Sequence, residues 1–363
     1  MKRSKVLIAA ALTALPGLFP LFAFAAGPGT SAATFLNLGF GARPLSVGEA
    51  YVAVADDASA LHYNPAGLAY PGSPATLSDG RKYEMLVSHS VHIQDIQMTQ
   101  LGFMKRPYGF SVTHLGLGGI ERRTAESAQP EGSFGASDLM LGASIGRKYR
   151  GIGFGATGKL IRQSIGEYSA TAYAIDMGAL YRMRHTPLSF GAGLTNVGTK
   201  MKFVNQGFPL PTTLRVGMTY GLTKRFPHAL SLQIDLPRDN APALRLGMEY
   251  LGFGPISLRA GYRTYSTAQR SAALGRGLGS AAPGLAEFYG MFMGFGFRSK
   301  IGNLDYAILP IGELGNAHRL SFTLKFGRVG SRPATVKKME RQGPKERMVE
   351  RLPVINLKQW GPR

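Results

Sequence analysis

AHRLSFTLKF, residues Ala317 to Phe326, alternates without a break: Leu320, Phe322, Leu324 and Phe326 share one face, and Arg319, Ser321, Thr323 and Lys325 share the other. Side chains of an extended chain point to opposite sides with a period of two, so the stretch reads as a strand with one apolar and one polar face. The pattern recurs upstream. ALRLGMEY sets Leu244, Leu246, Met248 and Tyr250 against Arg245, Gly247 and Glu249. TLRVGMTY sets Leu214, Val216, Met218 and Tyr220 against Arg215, Gly217 and Thr219, and ALSLQIDL, AYAIDMGALY and DLMLGASIG behave alike.

A soluble sandwich alternates too, and three features select a membrane barrel. The segments run to roughly 9–13 residues, enough to cross a bilayer at a tilt, whereas sandwich strands are mostly shorter. The apolar face often ends in an aromatic residue (Tyr181, Tyr220, Tyr250, Phe326), as at a membrane interface. The second face carries glycine with isolated Arg, Asp and Glu, which suits a crowded lumen where charges pair across the barrel. Strands are expected to begin near Lys82, Ile96, Gly109, Ser137, Gly151, Ala170, Pro187, Thr212, His228, Pro242, Ile256, Glu287, Asn303 and His318. That is roughly fourteen, the even number a bacterial barrel takes.

The connections support this division. RPY (106–108), YRG (149–151), RHTP (184–187), KRFP (224–227), GFGP (252–255) and SKIG (299–302) are short and fall after even-numbered strands. The two longest connections, Gly119 to Ala136 and Ala268 to Ala286, fall after odd-numbered ones. With the N-terminus in the periplasm, the short turns are periplasmic and the long loops extracellular. Lys105, Arg106, Lys148, Arg150, Arg184, Lys224, Arg225 and Lys300 then form a basic periplasmic rim beside anionic lipid headgroups.

Of the 363 residues, 1–25 read as a signal peptide: Lys2, Arg3 and Lys5 precede an apolar run from Val6 to Phe24, and Ala23-Phe24-Ala25 offers cleavage near Ala25. The barrel is expected over 81–326, an N-terminal plug over 26–80, and a basic, solvated periplasmic tail over 327–363 that holds the single tryptophan, Trp360. Cys 0 excludes thiol catalysis and thiolate metal sites. The net charge of +21 would suit a nucleic acid, but export to the envelope argues against that partner.

Motifs with a chemical look dissolve on inspection. GFGATGK, Gly153 to Lys159, satisfies part of a phosphate-binding loop, but Leu160 follows the lysine where Ser or Thr is needed, and the stretch alternates as a strand. His89 and His92 point to opposite faces and share no metal. No nucleophile stands beside a base, so no catalytic residue, metal or cofactor is expected. In THLGLGGIERR, alternation falters at His114, with Gly116, Gly118 and Gly119 close behind. The faltering marks either the frayed outer end of the third strand or an opening in the barrel wall.

GARPLSVGEAYVAVADDASALHYNPAGLA, Gly41 to Ala69, does not alternate. Asp57 is placed to cap a short helix over Ala58 to Tyr63, and Asn64 caps a second turn, with Pro65 in its first position and Gly67 closing it. Such turns satisfy their own backbone, as a segment inside a barrel must. The carboxylates of Asp56 and Asp57 need cations, and Arg215, Arg245, Arg259 and Arg263 are expected to point inward, so an ion-pair latch between plug and wall follows; His62 is read as incidental.

This stretch resembles the N-terminal segment of FadL-type outer-membrane channels and of the PorV/PorQ family, at Gly48, Ala50, Tyr51, Ala55, Asp56, Asp57, Ala58, Asn64, Pro65, Ala66 and Gly67. The preceding GTSAATFLNLGFGARPL is closer to PorV/PorQ. The resemblance implies an all-β transmembrane antiparallel barrel of about fourteen strands with short helices as a plug in its lumen. It further implies that the barrel, in outer-membrane lipid, docks exported proteins or components of a secretion system. The alternatives are FadL-like passive uptake of a hydrophobic small molecule such as a fatty acid, leaving sideways through a kinked third strand, or a structural barrel without cargo. Such barrels usually end near the aromatic that closes the last strand, whereas here a long tail follows Phe326.

Overall fold

The computed structural model describes residues 27, 29–71, 81–91, 96–122, 129–221, 227–266, 289–310 and 316–328. The expected signal peptide, the tail beyond Arg328, His92, Lys224, Arg225, the whole long loop from Ala268 to Ala286 and Glu287 lie outside the described residues.

The strands are β1 (Arg81–Val91), β2 (Gln97–Lys105), β3 (Tyr108–Arg122), β4 (Gly132–Tyr149), β5 (Ile152–Ile165), β6 (Tyr168–Arg182), β7 (Leu188–Gly198), β8 (Met201–Phe203), β9 (Gln206–Phe208) and β10 (Thr213–Gly221). They continue as β11 (His228–Pro237), β12 (Ala243–Phe253), β13 (Ile256–Arg263), β14 (Met291–Arg298), β15 (Gly302–Pro310) and β16 (Asn316–Arg328). All but β8 and β9 form one closed antiparallel barrel in chain order, β1 pairing with β16 to complete the ring. Closure leaves no unpaired edge, as hydrocarbon requires. The hairpin β8–β9 is an insertion between β7 and β10.

The burial pattern is that of a soluble protein turned inside out. In β16, Leu320 and Phe322 are 52% and 40% exposed, while Arg319, Ser321, Thr323 and Lys325 are buried. In β12, Leu246 and Met248 face outward, and Arg245 and Glu249 are buried. An apolar outer band with a polar interior is stable only where hydrocarbon surrounds the barrel. No helix among the described residues is long and apolar enough to cross a membrane.

Strand positions follow the alternation closely, with two misses: β14 begins at Met291, not near Glu287, and β4 differs instructively. β4 begins at Gly132, not near Ser137. Residues 132–136, GSFGA, are small and polar, so no apolar stripe marks them; pairing with β3 carries the strand on. β3 to β6 run to 15, 18, 14 and 15 residues, against 8 to 11 in β10 to β15, so one sector of the wall is taller.

The opening considered at His114 to Gly119 is not seen in the wall. β3 pairs with β2 up to Gly116↔Gln97 and with β4 through Leu117↔Ala136. The register shifts only between Leu117 and Ile120, beyond the end of β2, where Gly119 takes φ +71°. His114 and Gly116 therefore stand in continuous sheet, and Gly118 and Gly119 form a bulge in the projecting hairpin. A second irregularity was not expected: the β6–β7 register shifts between Ile175 and Met177, leaving one extra residue on β7 beside Asn196 at φ 60°.

Residues 33–70 pack against the inner face of this wall. They hold a 3₁₀ turn at Thr34–Asn37, the helices α1 (Ala42–Ser46) and α2 (Ala60–Tyr63), and a second 3₁₀ turn at Pro65–Ala69. Helices of one turn have no stability alone, so the wall holds them. It does so by leaving room. A Cβ on Gly155 would lie 2.2 Å from the Pro65 carbonyl carbon, on Gly178 2.0 Å from Asn64 Oδ1, on Gly191 2.2 Å from the Val52 oxygen, and on Gly261 2.1 Å from the Gly48 nitrogen. The glycines of the inward face, Gly153 and Gly155 of GFGATGK among them, are a mould of the segment.

Candidate functional site

The centre of the barrel is a charge network built on Arg43, the last-turn cation of α1. Its Nη1 donates to Asp56 Oδ1 at 2.7 Å and to Asp57 Oδ2 at 2.8 Å. Its Nε and Nη2 donate to the two carboxylate oxygens of Glu249 on β12 at 2.9 and 2.8 Å, a bidentate pair. Glu249 Oε1 also accepts from Arg259 Nε at 2.7 Å, and Arg259 Nη1 reaches Asp305 Oδ1 at 2.8 Å. One continuous chain of charge thus runs from the segment through β12 and β13 to β15. The Tyr51 hydroxyl stands 2.9 Å from Asp56 Oδ1 and 3.0 Å from Asp57 Oδ2.

A second link joins Glu49 to Arg245, whose Nε donates to Asp235 Oδ2 at 2.6 Å. Asp235 in turn takes the Gln233 amide at 2.6 Å, and Gln233 Oε1 accepts from the Tyr51 and Val52 nitrogens, each at 2.9 Å. Every member is buried, so each charge depends on its partner. Burial works against the Arg43 charge, but the carboxylates of Asp56 and Glu249 outweigh it and hold its pKa above the ordinary value. Burial likewise opposes the Asp57 carboxylate; Arg43 and the hydrogen bonds from Ser59 prevail and hold its pKa down. Glu49 is lowered against burial by Arg245 and Arg263.

The expected latch therefore has a different cation. Asp56 and Asp57 do not pair with Arg215, Arg245, Arg259 or Arg263; they share Arg43 of their own segment, and the bridge to the wall runs through Glu249. Arg215, Arg245 and Arg259 are buried on the inner face as expected. Arg245 and Arg259 serve the network, while Arg215 Nη1 has no hydrogen-bond partner among the described residues. Arg263 is half-buried, 5.0 Å over the Tyr265 ring.

The turns also differ in detail. Asp57 accepts from the Ser59 nitrogen at 2.9 Å and turns the chain, but α2 begins only at Ala60. Asn64 caps the turn as expected: its Oδ1 accepts from the Ala66 nitrogen at 3.1 Å, with Pro65 at the first position. Its Nδ2 donates to Val52 O at 2.7 Å and to Ala179 O of β6 at 3.0 Å. Gly67 does not close the turn. It lies within it, where a Cβ would come 2.0 Å from the Ala55 oxygen, so close approach is its role. His62 is buried, stacked on Phe40 and edge-on to Tyr63; burial, then the charges of Lys159, Arg215 and Arg319, push its pKa well below the usual value.

Arg106 of the expected rim and Arg182 at the end of β6 turn inward. Arg106 Nη2 donates to Asp56 O at 2.8 Å and Arg182 Nη2 to Val54 O at 2.9 Å. Tyr70 ends the segment under Lys148 and Arg182, 4.5 and 4.8 Å from its ring, donating to Leu180 O at 2.7 Å.

Beyond the network, on the side away from the short turns, the lumen changes character. Met140, Ile161, Ala170, Ala172 and Ala174 of the tall sector face inward. They meet Phe35 and Leu36 of the segment and Met201 and Leu210 of the inserted loop in one buried apolar cluster. Beside it, a cavity of ≈ 90 Å³ is lined by Leu45, Phe292 and Leu309 with Glu49, Arg263 and Arg319.

No protein-family profile and no curated protein matches the chain. Solved structures do. The TodX monoaromatic hydrocarbon channel, as a deltaS2 mutant, superposes with a TM-score of 0.51 at 13% identity, over 80% of this chain and 99% of that one. The P. putida toluene transporter TodX gives 0.49 at 13% over 80% and 99%, and the CymD monoaromatic hydrocarbon channel 0.49 at 13% over 80% and 98%. The chain thus has the fourteen-stranded closed-barrel fold of FadL-type hydrocarbon channels.

Proposed function

We propose that the protein is an outer-membrane channel for passive uptake of a hydrophobic small molecule, with residues 33–70 as a plug latched by Arg43. The observation that carries this reading is the apolar cluster of β4, β5, β6 and the β8–β9 loop, which lies in the lumen beyond the central charge network. A barrel that only spans lipid has no use for an apolar inner face at its outer end, whereas an apolar solute leaving water does. TodX, described as a monoaromatic hydrocarbon channel, supports the reading by fold. No catalysis and no cofactor enter it. The test is uptake of labelled toluene and of a labelled fatty acid by cells displaying this barrel in an outer membrane stripped of its own hydrophobic-solute channels. Entry several-fold faster than in barrel-free cells is expected for one of them; equal rates for both would overturn the proposal.

The docking role implied by the PorV/PorQ resemblance is the second reading. It draws on how completely the segment fills the lumen, with Phe40, Leu61, Tyr63 and Asn64 at 2% exposure or less. Co-purification from gently extracted membranes separates the two: a stoichiometric protein partner favours docking, and a bound apolar molecule without one favours uptake.

A further inference from the structure

Lys159, the lysine of GFGATGK, takes no part in holding the segment, yet it is 5% exposed. On β5 it faces Asp176 of β6 and Asn196 of β7. Its Nζ lies 2.6 Å from Asp176 Oδ2 and 2.8 Å from Asn196 Oδ1. Asp176 is 0% and Asn196 1% exposed, and Asp176 Oδ1 accepts from the Asn196 nitrogen at 2.7 Å. The β6–β7 bulge makes this meeting: the extra residue on β7 buries Thr195 and Asn196 together, with Asn196 at φ 60°, outside the conformation a strand asparagine prefers. The carboxamide Nδ2 is held by Pro211 O at 3.1 Å.

We propose that this is a modification site, at which Lys159 and Asn196 become joined by an amide bond with Asp176 carrying the protons. The reacting groups are an amine, a carboxamide and a carboxylate in mutual contact. With a C=O bond of about 1.2 Å, Asn196 Cγ lies within about 4 Å of the nitrogen, so a small rotation at the end of either side chain reaches attack distance. The ammonium of Lys159 gives a proton to Asp176 and the freed amine adds to Cγ. Asp176 returns that proton to Nδ2 as the Cγ–Nδ2 bond breaks, then takes one from the new amide nitrogen and hands it to the departing ammonia, which leaves as ammonium while Asp176 is again a carboxylate. One C–N bond forms and one breaks, no oxidant or reductant enters, and the products are a secondary amide and ammonium. Water, the competing nucleophile, is kept out by burial. Arg43, Arg245 and Arg259, the cations of the central network, could not do this, because guanidinium groups stay protonated. The bond would tie β5 to β7 across β6 and fix the bulge.

The test is the intact mass of the full chain extracted in folded form from membranes. One ammonia, about 17 Da, should be missing, and tryptic digestion should yield a single species joining the Lys159 and Asn196 peptides, uncut after Lys159. Asp176→Asn and Lys159→Arg should each retain the ammonia. A full mass in the folded wild-type protein would overturn the proposal whether or not the variants fold. So would an ammonia loss traced to a succinimide on one asparagine, which leaves the two peptides separate.

Discussion

Arg43 Nη2 and Glu249 Oε2 lie 2.8 Å apart, and this contact carries the N-terminal segment's charge into the wall of the barrel. It is one half of a bidentate pair whose other oxygen is shared with Arg259, so the segment and two strands meet at a single carboxylate.

Replacing Arg43 by leucine leaves Asp56, Asp57 and Glu249 without their shared cation. Removing one partner of a buried pair costs about 3–5 kcal/mol. The segment should detach while the wall, whose strand pairing does not involve Arg43, remains closed. Single-channel conductance should rise and protease should cut within 33–70; conductance equal to the unaltered barrel's would refute the latch. Asp56→Arg is expected to act in the same direction.

Gly178→Val tests the mould independently of charge. The added carbon would stand 2.0 Å from Asn64 Oδ1, a backbone-tied side chain that cannot retreat. The expected result is a barrel that still shows heat-modifiable migration but a segment open to proteolysis. Retained protection would mean that the inward glycines do not set the fit.

Acid should loosen the segment through His62. Its folded-state pKa lies well below the unfolded value, so below about pH 6.5 the unfolded form binds the extra proton and the folded form does not. Stability falls with pH across that window by about 1.4 kcal/mol per unit until the folded pKa is reached. Asp57 adds a loss in the same direction at lower pH, because its depressed carboxylate pKa contributes stability only above the unfolded carboxylate range. Protease sensitivity measured from pH 7.5 to 5 should increase in the unaltered protein and stay flat in His62→Phe, which keeps the stack on Phe40.

Ile161→Asp places a charge in the apolar cluster without touching the network. Uptake of the apolar solute should fall about tenfold, because the solute would have to pass a buried charge, while conductance stays as it was with the Arg43–Glu249 contact intact. Undiminished uptake would move the solute's path elsewhere.

The wall was legible because lipid enforces one rule on every strand: Leu320 and Phe322 must alternate with Arg319 and Ser321 or the strand cannot sit in hydrocarbon. Where lipid stops, so does the signal, as at Gly132 to Ala136 in the projecting part of β4. The site was legible only in half. Asp56, Asp57 and Asn64 stood out by type and spacing, whereas Arg43 sits between alanine and proline with nothing to mark it as their partner. Alternation marks the inward arginines of the strands, but the cation that Asp56 takes lies thirteen residues upstream in its own segment. The apolar cluster leaves little mark in the sequence because its inward residues on β6, Ala170, Ala172 and Ala174, are small beside outward Tyr173 and Ile175. The β6–β7 bulge depends on a positive φ at an asparagine, which the residue tolerates without requiring.

The segment's contacts near Gly39 bear on how the ring is sealed. The β1–β16 pairing joins the first strand to the last, so it is the seam a growing sheet reaches last. Gly39 O accepts from Gln100 Nε2 on β2 at 2.9 Å and from Arg319 on β16, and the Ala42 nitrogen donates to Ser321 Oγ of β16 at 3.0 Å. The same few residues grip both flanks of the seam. A polypeptide that is made before any strand, and that ends up holding the first hairpin to the last strand, acts as a clasp for closure. A barrel made without it would have to find its final register by strand pairing alone.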